Sequence, residues 1–162
     1  MWLSDRRNFL LGALALTGCG FTPVYGPGGG GNRLMNRIAV DEPVDGDSYL
    51  LVRALEERLG RADAAAYGLS LALDVKQERM AIAANNITTR FNVIGKATWA
   101  LRDLGDGKVV LSGTADSFSG YSATGSTAAT QTAERDAHAR LMSILADQIT
   151  ARLMAGAADL PT

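Results

Sequence analysis

Residues 69 to 77 alternate: Leu69, Leu71, Leu73 and Val75 fall on one parity, Ser70, Asp74 and Lys76 on the other. A period of two sends successive side chains to opposite faces, so this stretch predicts a half-buried strand. The run from Ile87 to Leu101 repeats the pattern, with Ile87, Phe91, Val93, Ala97, Trp99 and Leu101 against Thr88, Arg90, Asn92, Lys96, Thr98 and Arg102. Leu104-Gly105-Asp106-Gly107 supplies hairpin-turn chemistry, and KVVLSGTADSFSGY returns as a third long strand. Three such strands make an antiparallel sheet with one apolar face, and that face needs a cover.

Two segments of helical period supply it. After a short strand RIAV (Arg37 to Val40), Asp45-Gly46-Asp47-Ser48 reads as a turn with Asp47 or Ser48 as N-cap. Leu51, Val52, Leu55 and Leu59 then fall on one stripe, and Gly60 suits the position after a helix end. Ser126 or Thr127 caps a longer helix to about Ala155, whose apolar stripe is Ala133, Ala137, Leu141, Ile144, Leu145, Ile149 and Leu153. Its other face carries Glu134, Arg135, Asp136, His138, Arg140, Asp147 and Arg152; Glu134/His138 and Asp136/Arg140 have the i,i+4 spacing of a solvated charged face. The order strand, helix, three strands, helix predicts an α+β fold: a two-layer sandwich, two helices packed on one face of a mainly antiparallel four-stranded sheet.

Composition narrows the chemistry. At 162 residues the chain suits one domain with a real core. Its formal net charge of −1 gives no reason to expect phosphate-backbone binding, so nucleic acid is not an expected partner. One Cys cannot close an internal disulfide, and one His, His138, cannot furnish a usual zinc site; no metal and no catalytic residue is expected. Asp74 and Asp116 are a conceivable carboxylate pair, but both fall on the polar parity of their strands.

The N-terminus has a different logic. Arg6 and Arg7 precede the apolar run FLLGALAL (Phe9 to Leu16), followed by small residues Thr17 and Gly18. This is the order of an export signal, and the run is far short of the ~20 residues that cross a bilayer as a helix. DRRNFLLG also resembles a twin-arginine signal, with Asp5 and Leu11 departing from that pattern, while a general secretory signal explains the same two arginines. Leu16-Thr17-Gly18-Cys19 resembles a bacterial lipobox. That resemblance implies a diacylglyceryl group on the Cys19 thiol, cleavage before Cys19, and an N-acyl chain on the new terminus. No other cofactor is expected. One acyl chain binds a membrane marginally and two or three hold it stably. Gly20, where lipoproteins retained in the inner membrane often carry Asp, favours the outer membrane. GPGGGGN (26 to 32) can hold little regular structure and reads as a tether. The expected division is a signal over 1–18, lipidated Cys19 and tether over 19–33, a folded domain over 34–155 and a tail over 156–162.

CGFTPVYG, the helix and meander, and the C-terminal AERDAHARLMSILADQITARL together resemble the lipopolysaccharide-assembly lipoproteins of the LptE family, over residues 19 to about 155. The resemblance implies an outer-membrane lipoprotein that supports assembly of, and sits inside, an LptD-like β-barrel, and lipopolysaccharide itself as a ligand. Lipopolysaccharide phosphates need cationic donors. Arg90, Lys96 and Arg102 share one face of a strand, with Lys76 and Arg79 on or just beyond the strand before it, and these are the candidate ligand residues. The same cations also serve solubility and edge protection. A lipid-anchored periplasmic adaptor or activator of another envelope machine, a transporter or a cell-wall synthesis accessory, is the alternative that the anchor and fold leave open.

Overall fold

A computed structural model describes residues 33–82 and 88–160. The segment expected to be an export signal, Cys19, the expected tether as far as Asn32, and Ile87 lie outside the described residues. The elements are β1 (Ile38–Val40), α1 (Gly46–Leu59), β2 (Tyr67–Ile82), β3 (Thr88–Asp103), β4 (Val109–Ser122) and α2 (Thr127–Gly156), with a short 3-10 turn at Ala157–Asp159. The four strands form one sheet in the order β1-β2-β3-β4. β2, β3 and β4 pair antiparallel, while β1 runs parallel to β2 with Ile38 opposite Tyr67. The sheet is therefore mixed and mainly antiparallel, covered by two helices, as the periodicity predicts.

The alternation expected of β3 is realised. Val93, Ala97, Trp99 and Leu101 are buried, and Leu69 and Ala115 continue that face onto β2 and β4. α2 lies against β3 and β4, and α1 packs against α2 and β1. Gly95 lets α2 approach β3 closely: a Cβ there would lie 3.0 Å from Leu141 and 3.1 Å from Leu145. Each fully buried leucine of this layer contributes about 1.5–3 kcal/mol.

Three local expectations need correction. α1 is capped by Asp45, not by Asp47 or Ser48: Ser48 N donates to Asp45 Oδ1 at 2.7 Å and Asp45 N to Ser48 Oγ at 2.9 Å. This reciprocal capping box starts the helix at Gly46 and leaves Asp47 in the first turn, where the helix dipole favours a carboxylate. On α2, Ile144 is exposed rather than part of the apolar stripe, whereas Met142, Ala146, Thr150 and Met154 are buried beside Leu141, Leu145, Ile149 and Leu153. A helix wedged between a sheet and a second helix buries a band wider than one stripe. Finally, the charged residues of α2 act across elements. His138 Nδ1 meets Asp47 Oδ1 at 2.8 Å, Arg58 Nε meets Asp147 at 2.6 Å, and Arg140 reaches the Gly120 carbonyl at 3.2 Å.

The ends of the folded unit are tied together. Asn36 N donates to Leu59 O at 2.8 Å, and Gly60 has φ +78°, with any Cβ there falling 1.9 Å from Asn36 Oδ1. Glycine is required by both the backbone angle and the space. At the other end Ala157 and Leu160 are buried and Arg33 Nη1 donates to Leu160 O at 3.2 Å, so packing continues beyond Ala155 into the expected tail.

Candidate functional site

The register settles which candidate side chains share a surface. Lys96 pairs with Asp74 on β2 and Asp116 on β4, Lys76 with Ile94, Arg90 with Ser122, and Arg102 with Gly68 and Val109. Arg90, Lys96, Arg102 and Lys76 therefore all lie on the sheet face turned away from the helices. Arg79 does not. It falls within β2, opposite Phe91, on the parity that faces the helices.

The shared face is a row and not a cluster. At about 3.3 Å per residue, Arg90 stands about 20 Å from Lys96 and about 40 Å from Arg102, too far for one phosphate to touch any two of these three, while Lys76 lies diagonal to Lys96, about 7–8 Å away across β2 and β3. Most of the row is also occupied. Lys76 Nζ contacts Asp74 at 2.9 Å, and that hydrogen bond holds its ammonium above the usual lysine range. Lys96 lies between two carboxylates by register, and Arg102 Nη2 is 3.5 Å from Asp41 Oδ2. Arg90 carries no ion pair among the described residues. It borders a notch of about 270 Å³ lined by Phe91, Asn92, Gly120, Tyr121 and Ser122. Gly120 is the floor of that notch; a Cβ there would lie 3.0 Å from Asn92 Oδ1. The arrangement offers an arginine fork, a carboxamide and a hydroxyl around an unfilled space, which suits an anionic, hydroxyl-rich group. Exposed large apolar side chains along the row include Val109, opposite Arg102, and Phe118, opposite Ile94, with Met80 near the end of β2.

Beneath the notch, on the helix side, Phe91 and Tyr121 stack with centroids 5.3 Å apart. Gln77 Nε2 donates to the Tyr121 hydroxyl, and burial together with nearby Glu134 pushes that phenol up. The pair props the end of the sheet that presents Arg90.

A second concavity, of about 600 Å³, lies between the start of α1 and α2 and is lined by Asp45, Gly46, Asp47, Leu50, Gln131, Glu134, Arg135 and His138. It is closed on one side by the His138–Asp47 pair, which a helical-wheel reading of α2 alone cannot find because its partner is 91 residues away. Among the described residues there is no group of His, Cys, Asp and Glu that could hold a metal ion. No helix among them is long and apolar enough to cross a membrane.

A family model described as LptE, Lipopolysaccharide-assembly, matches residues 35–153, which is nearly the whole packed unit. Among solved structures, one from Caulobacter crescentus CB15, provisionally described as a lipoprotein, is 25% identical with a TM-score of 0.68, covering 81% of this chain and 98% of its own. Rare lipoprotein B from Shewanella oneidensis shares the fold at 12% identity and TM-score 0.58, over 76% of this chain and 96% of its own. A minor lipoprotein from Acinetobacter baumannii does so at 15% and 0.52, over 74% and 89%. Among curated proteins, none matches the sequence.

Proposed function

The chain belongs to the LptE lipopolysaccharide-assembly family, and from that premise we propose that it is an outer-membrane lipoprotein, anchored through acyl chains on Cys19, that supports assembly of and plugs an LptD-like β-barrel. The observation that carries the reading is the span of the family match: it coincides with the packed unit and leaves the lipobox-like segment and glycine tether outside it. The anchor and the folded domain are then separate devices. Acyl chains hold the molecule at the periplasmic leaflet, and about fourteen tether residues let the domain stand off from it.

A barrel lumen is lined by polar residues, so a plug needs a rigid polar exterior. The outer sheet face supplies one, with Ser112, Thr98, Asp74, Lys96 and Asp116 all exposed. Lipopolysaccharide is the proposed ligand of that same face. Arg90 at the Gly120 notch is the foremost contact, since a guanidinium without a carboxylate partner is available for bidentate phosphate binding. Lys76, Lys96 and Arg102 contribute longer-range attraction that salt screens.

Capture of the tagged full chain from solubilised outer membrane tests the reading. The expected companion is an outer-membrane β-barrel of lipopolysaccharide export. Recovery with an inner-membrane transporter or a cell-wall synthase and no such barrel would replace the reading with the adaptor alternative. Cys19→Ser is expected to leave an uncut precursor, which mass spectrometry of the N-terminus reads directly.

A further inference from the structure

β4 forms one edge of the sheet, and an edge strand presents unpaired N–H and C=O groups to any second strand that approaches. Ala123 N donates inward to Thr89 O at 3.0 Å. By the alternation of an antiparallel ladder, the even-numbered residues from Ser112 to Ser122 turn their backbone groups away from β3. Two of those outward carbonyls are held from α2. Arg140 Nη2 donates to Gly120 O at 3.2 Å, and Gln148 Nε2 donates to Asp116 O at 3.2 Å.

The spacing of the two contacts is matched. Eight residues of helix rise about 12 Å and four residues of strand about 13 Å, so α2, running antiparallel to β4, reaches the edge at two points in register. Between them lies Phe118, 63% exposed.

This edge is complementary to itself. An antiparallel pairing of two β4 strands about Phe118 sets Asp116 of one copy opposite Gly120 of the other and Thr114 opposite Ser122. In that pairing the Gly120 carbonyl accepts from the second copy's Asp116 N–H, and the Asp116 carbonyl from its Gly120 N–H. These are the two acceptors that Arg140 and Gln148 occupy. Charge and space agree with the fit, because Gly120 has no side chain and the notch above it is bordered by Arg90, so the second copy's Asp116 carboxylate meets room and positive charge. We infer that the β4 edge is a latent strand-addition surface that fits a second copy of this chain, and that Arg140 and Gln148 hold it shut.

The test is the mass of the full chain in excess detergent as its concentration is raised. The wild type is expected to stay monomeric. Arg140→Ala/Gln148→Ala is expected to double in mass, and Arg140→Met/Gln148→Glu, which keeps the unbranched stem at 140 and the shape at 148 while removing both donors, is expected to do the same. Adding Thr114→Pro to either should restore the monomer, because proline removes an outward N–H and is tolerated on an edge strand. Both variants remaining monomeric, with wild-type circular dichroism, would overturn the inference. So would a dimer already present in the wild type, or one that survives Thr114→Pro.

Discussion

On the helix side of β3, Val93, Ala97, Trp99 and Leu101 are buried, while on the other side of the same strand Arg90, Lys96, Thr98 and Arg102 are exposed. One backbone serves both surfaces, and only parity divides them. The helix side is held by apolar packing. The outer side is populated by carboxylate and ammonium partners that exposure makes weak. The division teaches where changes should be felt: stability belongs to one parity and recognition to the other.

The largest effect on stability is expected from Leu141→Ala, which removes a fully buried side chain packed over Gly95. A loss of about 2–5 kcal/mol in denaturant unfolding is expected. Arg58→Ala comes next. Arg58 ties α1 to α2 through Asp147 at 2.6 Å and Ser143 Oγ at 2.8 Å, and also bonds Ala54 O at 2.7 Å. Its loss should cost about 1–2 kcal/mol, since Asp147 is exposed enough to be rehydrated. A smaller effect appears on acidification. The hydrogen bond from Arg58 to Asp147 and those from Ser48 to Asp45 hold both carboxyls below the usual range. Groups with depressed folded values stabilise the fold above their unfolded value of about 3.9, and this contribution is lost as pH falls through the folded values. Unfolding midpoints measured from pH 6 to pH 2 should decline least in Arg58→Ala, which lacks one of the two contributions.

Much of this division could be read before any coordinates. Alternation over long runs located β2 and β3 and assigned their faces, the Leu104–Gly107 turn pointed to β4, and the Ser126 or Thr127 cap placed the start of α2. The short β1 could not be paired from sequence, because three residues carry no usable alternation and its parallel partner begins 29 residues later. The wider buried band of α2 was missed because Met142, Ala146 and Met154 look like ordinary helix residues until α1 is placed beside them. The register puts Arg90, Lys96, Arg102 and Lys76 on one face but Arg79 on the other, and it spreads the β3 cations into a spaced row that the sequence reading did not anticipate. The register was available: Lys96 and Asp116 are each ten residues from Asp106 in the hairpin turn, and counting outward from it also places Asn92 opposite Gly120. The cross-helix pairs of His138 and Arg58 had no local signal, since their partners lie 91 and 89 residues away.

The smallest effect on stability, and the most informative on function, belongs to the outer face. Binding of purified lipopolysaccharide to the full chain, compared between wild type and Arg90→Gln/Lys96→Gln/Arg102→Gln, tests the division most directly. The expected result is weakened binding with each site changing stability by no more than about 0.5 kcal/mol, and a difference from wild type that shrinks as salt rises. Arg90→Gln alone should account for most of the loss, because Arg102 is already paired and Lys96 lies between carboxylates. Unchanged lipopolysaccharide affinity in the triple variant, with folding intact, would contradict the assignment of recognition to this face.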